Sequence, residues 1–365
     1  MQRILSIDYL RGLMAFSVLI YHFISWSLGV PSSDTILGRL GIYAVSLFYI
    51  ISSIALYQIY ADTRWSLKNI GIFAIKRFFR IAPVYWLATV LLILLAAITL
   101  PSFTPNWLAY LSNFLLIFGF YDPATYVPIG GWSIGNEVVF YFTFPALVIL
   151  ARYRWLFLPA LCLILALYGY FAFVALTPEN TLAKQWATYV NPLNQLFLFA
   201  LGIGAAWARR KIEITQRAAA SALIFSVFIF IMYPAKGDLI TLVTGIERLV
   251  FTFCCGGVCF SLLYLRPSFP SFIDKLLRFL GDTSYSIYLL HGVISKYSLT
   301  YLYPLLSNDS PVIKCLFLFI FALPLTILAS HFIYRHLEKP MIDAGKRAEI
   351  YLTNKNNETI NKVPA

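Results

Sequence analysis

The chain has 365 residues, of which 60% are hydrophobic and only 12% charged, with a mean hydropathy of +0.76. Soluble globular domains carry about 25% charged residues, so the composition excludes that class and indicates a polytopic membrane protein. The net charge of +12 does not point to nucleic acid, because the basic residues fall in short clusters between apolar spans, as the positive-inside rule describes.

Apolar stretches of spanning length fall near 6–28, 38–60, 83–100, 132–150, 154–176, 190–208, 218–234, 241–264, 281–303 and 312–335. Each is close to the roughly 20 residues a helix needs to cross a bilayer. The predicted fold is an all-α, polytopic integral membrane bundle of about ten transmembrane helices. Arg3 and the apolar run after it could pass for a signal peptide, but Asp8, Arg11 and His22 interrupt the run, so it reads as an uncleaved span. With both termini cytoplasmic, every Lys and Arg except Arg39, Lys184, Lys236, Arg248, Lys296 and Lys314 lies on the cytoplasmic side of a cell (inner) membrane. Residues 1–345 form the membrane domain, and the polar, Asn/Lys-rich segment 346–365 reads as a disordered cytoplasmic tail.

The first span, Ile7 to Phe23, carries three ionisable residues. A charge at mid-membrane costs about 2.5–3.5 kcal/mol on insertion scales, so such residues face the interior of a bundle. The eleven steps from Arg11 to His22 advance a helix by about 20° modulo a full turn, which puts both on one face roughly 16 Å apart. Asp8, three residues before Arg11, is placed to neutralise its guanidinium.

At the entry to the third span, Lys76 to Trp86 (KRFFRIAPVYW) sets Arg77 and Arg80 three apart. One helix turn presents both guanidiniums to a phosphate; the same charges also fit a simple topology anchor. Between Leu100 and Gly131 the apolar run Trp107 to Phe120 is too short to span and reads as re-entrant or interfacial, packed on protein. The fourth span opens with Trp132 to Tyr141 (WSIGNEVVFY) and contains Glu137. It runs inward while the first span runs outward, so Glu137 and His22 should reach similar depths. They fit an acid–base pair, or two separate helix–helix hydrogen bonds.

The five cysteines lie in apolar segments without zinc spacing and read as small buried hydrophobes. In Gly281 to His291 (GDTSYSIYLLH), Ser284 and Ser286 fit interhelical hydrogen bonding, and His291 lies deeper. Glu338 and Lys339 follow the last span as neighbours suited to a local ion pair. The four histidines show no metal-cluster spacing, so no metal is expected.

Together these segments resemble the membrane-bound acyltransferase-3 family, whose members O-acylate sugars and other acceptors using acyl-CoA. Asp8-x-x-Arg11-Gly12 with Arg11-x10-His22 resembles its first-helix signature, and Phe48-Tyr49-Ile50-Ile51-Ser52 its second-helix element, with Ser53 where glycine is usual. Arg77-Phe78-x-Arg80-Ile81-x-Pro83-x-Tyr85, Trp132-Ser133-x-x-x-Glu137-x-x-Phe140-Tyr141 and Ser284-Tyr285-Ser286-x-Tyr288-Leu289-x-His291 resemble the later motifs. Val138 stands where many relatives have a second Glu.

The resemblance implies an O-acyltransferase that moves an acyl group, acetyl foremost, from cytoplasmic acyl-CoA to a hydroxyl of a sugar in a cell-surface polysaccharide or lipid-linked glycan. Acetyl-CoA is then a substrate, no bound cofactor is needed, and the partners are the acyl donor, the glycan and membrane lipids, with no nucleic acid. It assigns catalysis to His22 and Glu137 and acyl-CoA binding to Arg11, Arg77 and Arg80. Asp8, Trp132, Ser133, Tyr141, Ser284, Ser286 and His291 take supporting places. Transfer could be direct or pass through an acyl-histidine. Buried charges and many spans also fit a secondary transporter or a polysaccharide-precursor flippase without acyl transfer.

Overall fold

A computed structural model of the chain describes residues 4–307 and 310–360. Arg3 and the final residues of the expected tail, 361–365, lie outside them. The chain is helical throughout: α1 (Leu5–Ser27), α2 (Ile36–Tyr60), α3 (Leu67–Thr99), the short α4 (Trp107–Phe114) and α5 (Phe118–Tyr121), then α6 (Gly131–Arg152). It continues as α7 (Arg154–Tyr170), the single-turn α8 (Trp186–Tyr189), α9 (Pro192–Arg209), α10 (Gln216–Met232), α11 (Gly245–Leu262) and α12 (Ser271–Tyr297). The last three are α13 (Pro311–Phe317), α14 (Leu323–Ile333) and α15 (Lys339–Ile360), joined to one another through π-helical turns.

Among the described residues seven helices are long and apolar enough to cross a membrane, with 155–175 and 311–353 each counted as one. Helices also occupy the other three expected places. Of these, α10 has only 17 residues, and α12 carries Asp274, Lys275, Arg278 and Asp282 in its first half. Side-chain oxygens begin several helices: Thr35 accepts from Gly38 N at 3.0 Å, and Asn106 from Ala109 N at 3.1 Å. Each satisfies a backbone donor that the first turn leaves unpaired.

The connecting segments gather at two opposite ends. At one, Ser33 N donates to Gly237 O at 3.1 Å, Leu182 N to Asp238 Oδ1 at 2.8 Å, and Trp186 Nε1 to Tyr126 OH at 3.1 Å. At the other, Arg152 Nη2 donates to Thr63 O at 2.7 Å, Tyr264 OH to Ile212 O at 2.6 Å, and Ser6 Oγ to Leu262 O at 2.6 Å. The clusters read as cytoplasmic share this second, basic end. Two of the six exceptions prove structural. Arg39, 3% exposed, donates to Phe230 O, Ile231 O and Tyr233 O at 2.6–2.7 Å, where the carbonyls ending α10 attract a cation. Buried Arg248 donates to Asn194 O and Oδ1.

Between Leu100 and Gly131 the chain turns back through α4 and α5. Trp107 and Leu108 stay exposed while Asn113 is buried, consistent with an interfacial segment packed on protein. The polar stretch from residue 346, expected to be disordered, lies within α15, which is helical to Ile360. Lys76 holds Glu349 at 2.8 Å across from α3, and Asp343 pairs with Lys346 at 2.8 Å within the helix. Cys254, Cys255 and Cys259 are buried as expected, whereas Cys162 is exposed.

Candidate active site

The first helix is held by its glycine. A Cβ on Gly12 would stand 2.5 Å from Gly281 N, and one on Gly281 2.7 Å from Asp8 O, so α1 and α12 cross backbone to backbone, as small residues allow inside membranes. That crossing brings Arg11 to α12. Its Nε donates to Ser284 Oγ and its Nη2 to Gly281 O, both at 3.1 Å. Asp8 pairs with it at 3.0 Å, the i,i+3 geometry the spacing implies. The Ser53 that departs from the family pattern faces Gly202 of α9, whose missing side chain leaves room for its hydroxyl.

Five helices close around a cavity of about 150 Å³, whose polar wall includes Arg11, Ser52, Arg77, Arg80, Glu137 and Ser284. The carboxylate of Glu137 accepts from Ser52 Oγ at 2.6 Å and from Tyr141 OH. The guanidinium of Arg77 lies over the Tyr141 ring at 5.8 Å, and its Nε is buried without a hydrogen-bond partner among the described residues. Arg80 is committed elsewhere. Its Nη1 meets Glu338 Oε1 at 2.5 Å, and Glu338, 1% exposed, also accepts from Ser286 Oγ at 2.6 Å. Glu338 thus pairs across the bundle and not with its neighbour Lys339. Asp8 and Glu338 offset Arg11 and Arg80, which leaves Arg77 as the cavity cation with no ion pair among the described residues.

His22 lies outside this cavity. Its ring stacks on Trp26 at 5.0 Å and on His291 at 5.2 Å, with interplanar angles of 19° and 23°. His291 is fully buried. Its Nδ1 lies 3.2 Å from Ile287 O, and its Nε2 is buried without a partner among the described residues. An imidazole that donates through Nδ1 keeps its lone pair on Nε2.

The wall between cavity and histidines is Tyr288. Its hydroxyl donates to Gly130 O at 2.9 Å and lies 2.9 Å from Ser133 Oγ, and its ring centroid is 6.1 Å from that of His291. Gly130 makes this contact in a left-handed turn (φ 77°) that begins α6, where any side chain would strike the Tyr288 ring.

The structure therefore brings Arg11, Arg77, Arg80, Glu137, Ser133, Tyr141 and Ser284 to one cavity and pairs His22 with His291 beside it. It does not bond Glu137 to His22. Trp132 packs against Tyr49, Trp186 and Tyr189, and Ser286 serves Glu338. Ser52 and Tyr288 are site residues that the sequence reading assigned no role, although both lie in its motifs, and Glu338, expected to pair locally with Lys339, instead holds Arg80 and Ser286. Among the described residues no three His, Cys, Asp or Glu side chains group as metal ligands.

The family model described as an acyltransferase domain, acyltransferase-3, matches residues 4–335. The ORF330 protein of Acidianus two-tailed virus, whose name assigns it an acetyltransferase activity, is 29% identical over 79% of this chain and 82% of its own length. Peptidoglycan O-acetyltransferase OatA of Listeria monocytogenes is 24% identical over 93% of this chain, which spans 56% of that protein. No solved structure matches the chain. A family match over nearly the whole chain, on a bundle of membrane-length helices, places this protein in the acyltransferase-3 family as a multi-pass membrane acyltransferase.

Proposed function

We propose that the chain transfers an acetyl group from acetyl-CoA, entering at the basic end, to a hydroxyl of a surface polysaccharide or lipid-linked glycan. The observation that carries this reading is the cavity itself, which sets Arg77, without an ion pair among the described residues, and the carboxylate of Glu137 beside a pair of stacked imidazoles. CoA phosphates are too strongly hydrated to enter lipid. A guanidinium at the mouth can hold them by charge-assisted hydrogen bonds while the pantetheine arm enters past Arg11. The acetyl thioester then reaches past the Tyr288 ring from the Glu137 side to His22, where the acceptor hydroxyl approaches. The hydroxyl oxygen adds to the thioester carbonyl carbon as His22 takes its proton, the carbon–sulfur bond breaks, and the proton passes to the departing thiolate. The bound acetyl group, and no direct hydrogen bond, connects Glu137 with His22. Support for a glycan acceptor comes from the relative named for peptidoglycan O-acetylation.

Arg77→Ala should raise the Michaelis constant for acetyl-CoA by roughly 10- to 100-fold, since a hydrogen bond to a charged group contributes about 1.5–3 kcal/mol. A short acetyl-pantetheine thioester lacking the nucleotide should be much less affected. Equal losses with both donors would remove Arg77 from phosphate binding.

The reading also places the basic end in the cytoplasm. Cysteines introduced at the exposed positions Lys184 and Lys236 should react with an impermeant thiol reagent applied to intact cells. A cysteine at Arg210, exposed at the opposite end, should react only after permeabilisation. The reverse pattern would move donor entry to the other side.

A further inference from the structure

A second, larger hollow opens on the opposite flank of the bundle, between α7, α9, α10, α11 and the end of α6, with a volume of about 750 Å³. That is within the range of ligand pockets, about 300–1,000 Å³. Its walls are almost wholly apolar, and it owes its width to small residues. Gly204, on its floor, faces open space where a Cβ would meet nothing within 4 Å.

The groove runs along the helices. On α9 it extends from Phe197 to Ala208 and on α7 from Phe157 to Tyr168. Eleven steps at 1.5 Å give about 16 Å in each case, which is the depth of one leaflet of a hydrocarbon core about 30 Å thick. Phe157, Ala208 and Ser261 lie towards the basic end, so the groove begins there; on α11 it reaches Leu249, roughly 18 Å further along the helix.

Charge marks that mouth. Arg209 closes α9 beside Lys211, and Arg217 opens α10; Glu213 is the only acid between them. Arg210 is taken by Asp62 at 2.9 Å, and Arg152 by the carbonyls of Ala61 and Thr63. Arg209 rests on the Tyr264 ring at 4.5 Å. Lys211 and Arg217 are exposed and make no ion pair among the described residues. An apolar slot about 16 Å long beneath a basic end where Lys211 and Arg217 stay exposed matches a lipid with an acyl chain below and a negative headgroup above.

We propose that this groove is a binding site for an anionic phospholipid, with an acyl chain along Gly204 and its phosphate among Arg209, Lys211 and Arg217. The site is separate from the acyl-transfer cavity and does not depend on the reading given for it.

The test uses the full chain, delipidated in detergent and offered dioleoylphosphatidylglycerol or dioleoylphosphatidylcholine, with retained lipid read by native mass spectrometry. The phosphatidylglycerol should be retained at least about tenfold more tightly. Gly204→Leu, whose Cβ would meet nothing within 4 Å, should abolish that retention while the lipid-free melting temperature stays unchanged. The Lys211→Gln, Arg217→Gln double variant changes only exposed side chains, one before α10 and one in its first turn. It should remove the preference for phosphatidylglycerol while leaving phosphatidylcholine binding as it was. Equal retention of the two lipids, or undiminished phosphatidylglycerol on Gly204→Leu, would overturn the proposal. So would a dimer that Gly204→Leu converts to monomer, because a second copy would then fill the groove.

Discussion

Replacing His22 with Ala is expected to lower acetyl turnover by roughly 10²–10⁴-fold, the usual contribution of a general acid–base group, while folded protein and acetyl-CoA binding persist. The reasons are geometric. The residue keeps some exposure, and its ring is held by stacking on Trp26 and His291. Its removal leaves no orphaned buried charge and does not disturb the Arg11–Ser284 bond at the other end of the same face. Glu137→Gln keeps a group able to bond Ser52 and Tyr141 but removes the charge, and should slow turnover with little loss of folded protein. If the two residues act as a unit, the double variant will be little worse than His22→Ala alone, because cooperating groups are non-additive. Near-normal transfer by folded His22→Ala would exclude it as base or nucleophile and turn attention to His291, whose Nε2 has no hydrogen-bond partner among the described residues.

The largest effect on stability is expected at Arg80. Glu338 has no exposed side-chain surface, so Arg80→Ala strands a carboxylate inside the bundle. Breaking a buried pair on one side typically costs about 3–5 kcal/mol. The melting temperature of Arg80→Ala in detergent should fall sharply, and adding Glu338→Ala should recover much of the loss. Arg77→Ala, which breaks no ion pair among the described residues, should melt close to the parent. The two arginines of one turn thus separate: Arg80 holds α3 to the π-turn before α15, and Arg77 is the one proposed to hold the donor. An Arg80→Ala protein as stable as the parent would contradict this division.

Much of this was legible in the chain. Apolar runs gave the helices, and basic clusters gave the common end at which Arg152, Arg210 and Lys76 meet their partners. The Asp8–Arg11 pair follows from spacing alone, because i,i+3 neighbours must meet. Spacing fails across helices. Depth put Glu137 and His22 at one level, but depth says nothing about which way a helix is turned. The crossing of α1 on α12 through Gly12 and Gly281 instead gives His22 to His291 and leaves Glu137 to Ser52. Glu338 was misread for a similar reason. Its neighbour Lys339 is close in sequence, but the π-turn Tyr334–Glu338 accompanies a side chain buried against Arg80 and Ser286. Arg39 and Arg248 look like exceptions to the charge rule until the carbonyls and the Asn194 side chain they bind are seen. The contact of Glu349 with Lys76 spans 273 positions, beyond the reach of local composition.

The most direct test of acyl transfer through this cavity follows the label. Purified chain in liposomes is given acetyl-CoA labelled in its acetyl group on the side of the basic end, together with a glycan acceptor, and CoA release and alkali-labile label on the glycan are measured together. Acyl transfer predicts that free CoA and glycan-bound acetyl appear in equal amounts, and that both are lost in His22→Ala. Glycan that crosses the bilayer while the label stays on CoA would contradict it and identify a transporter or flippase.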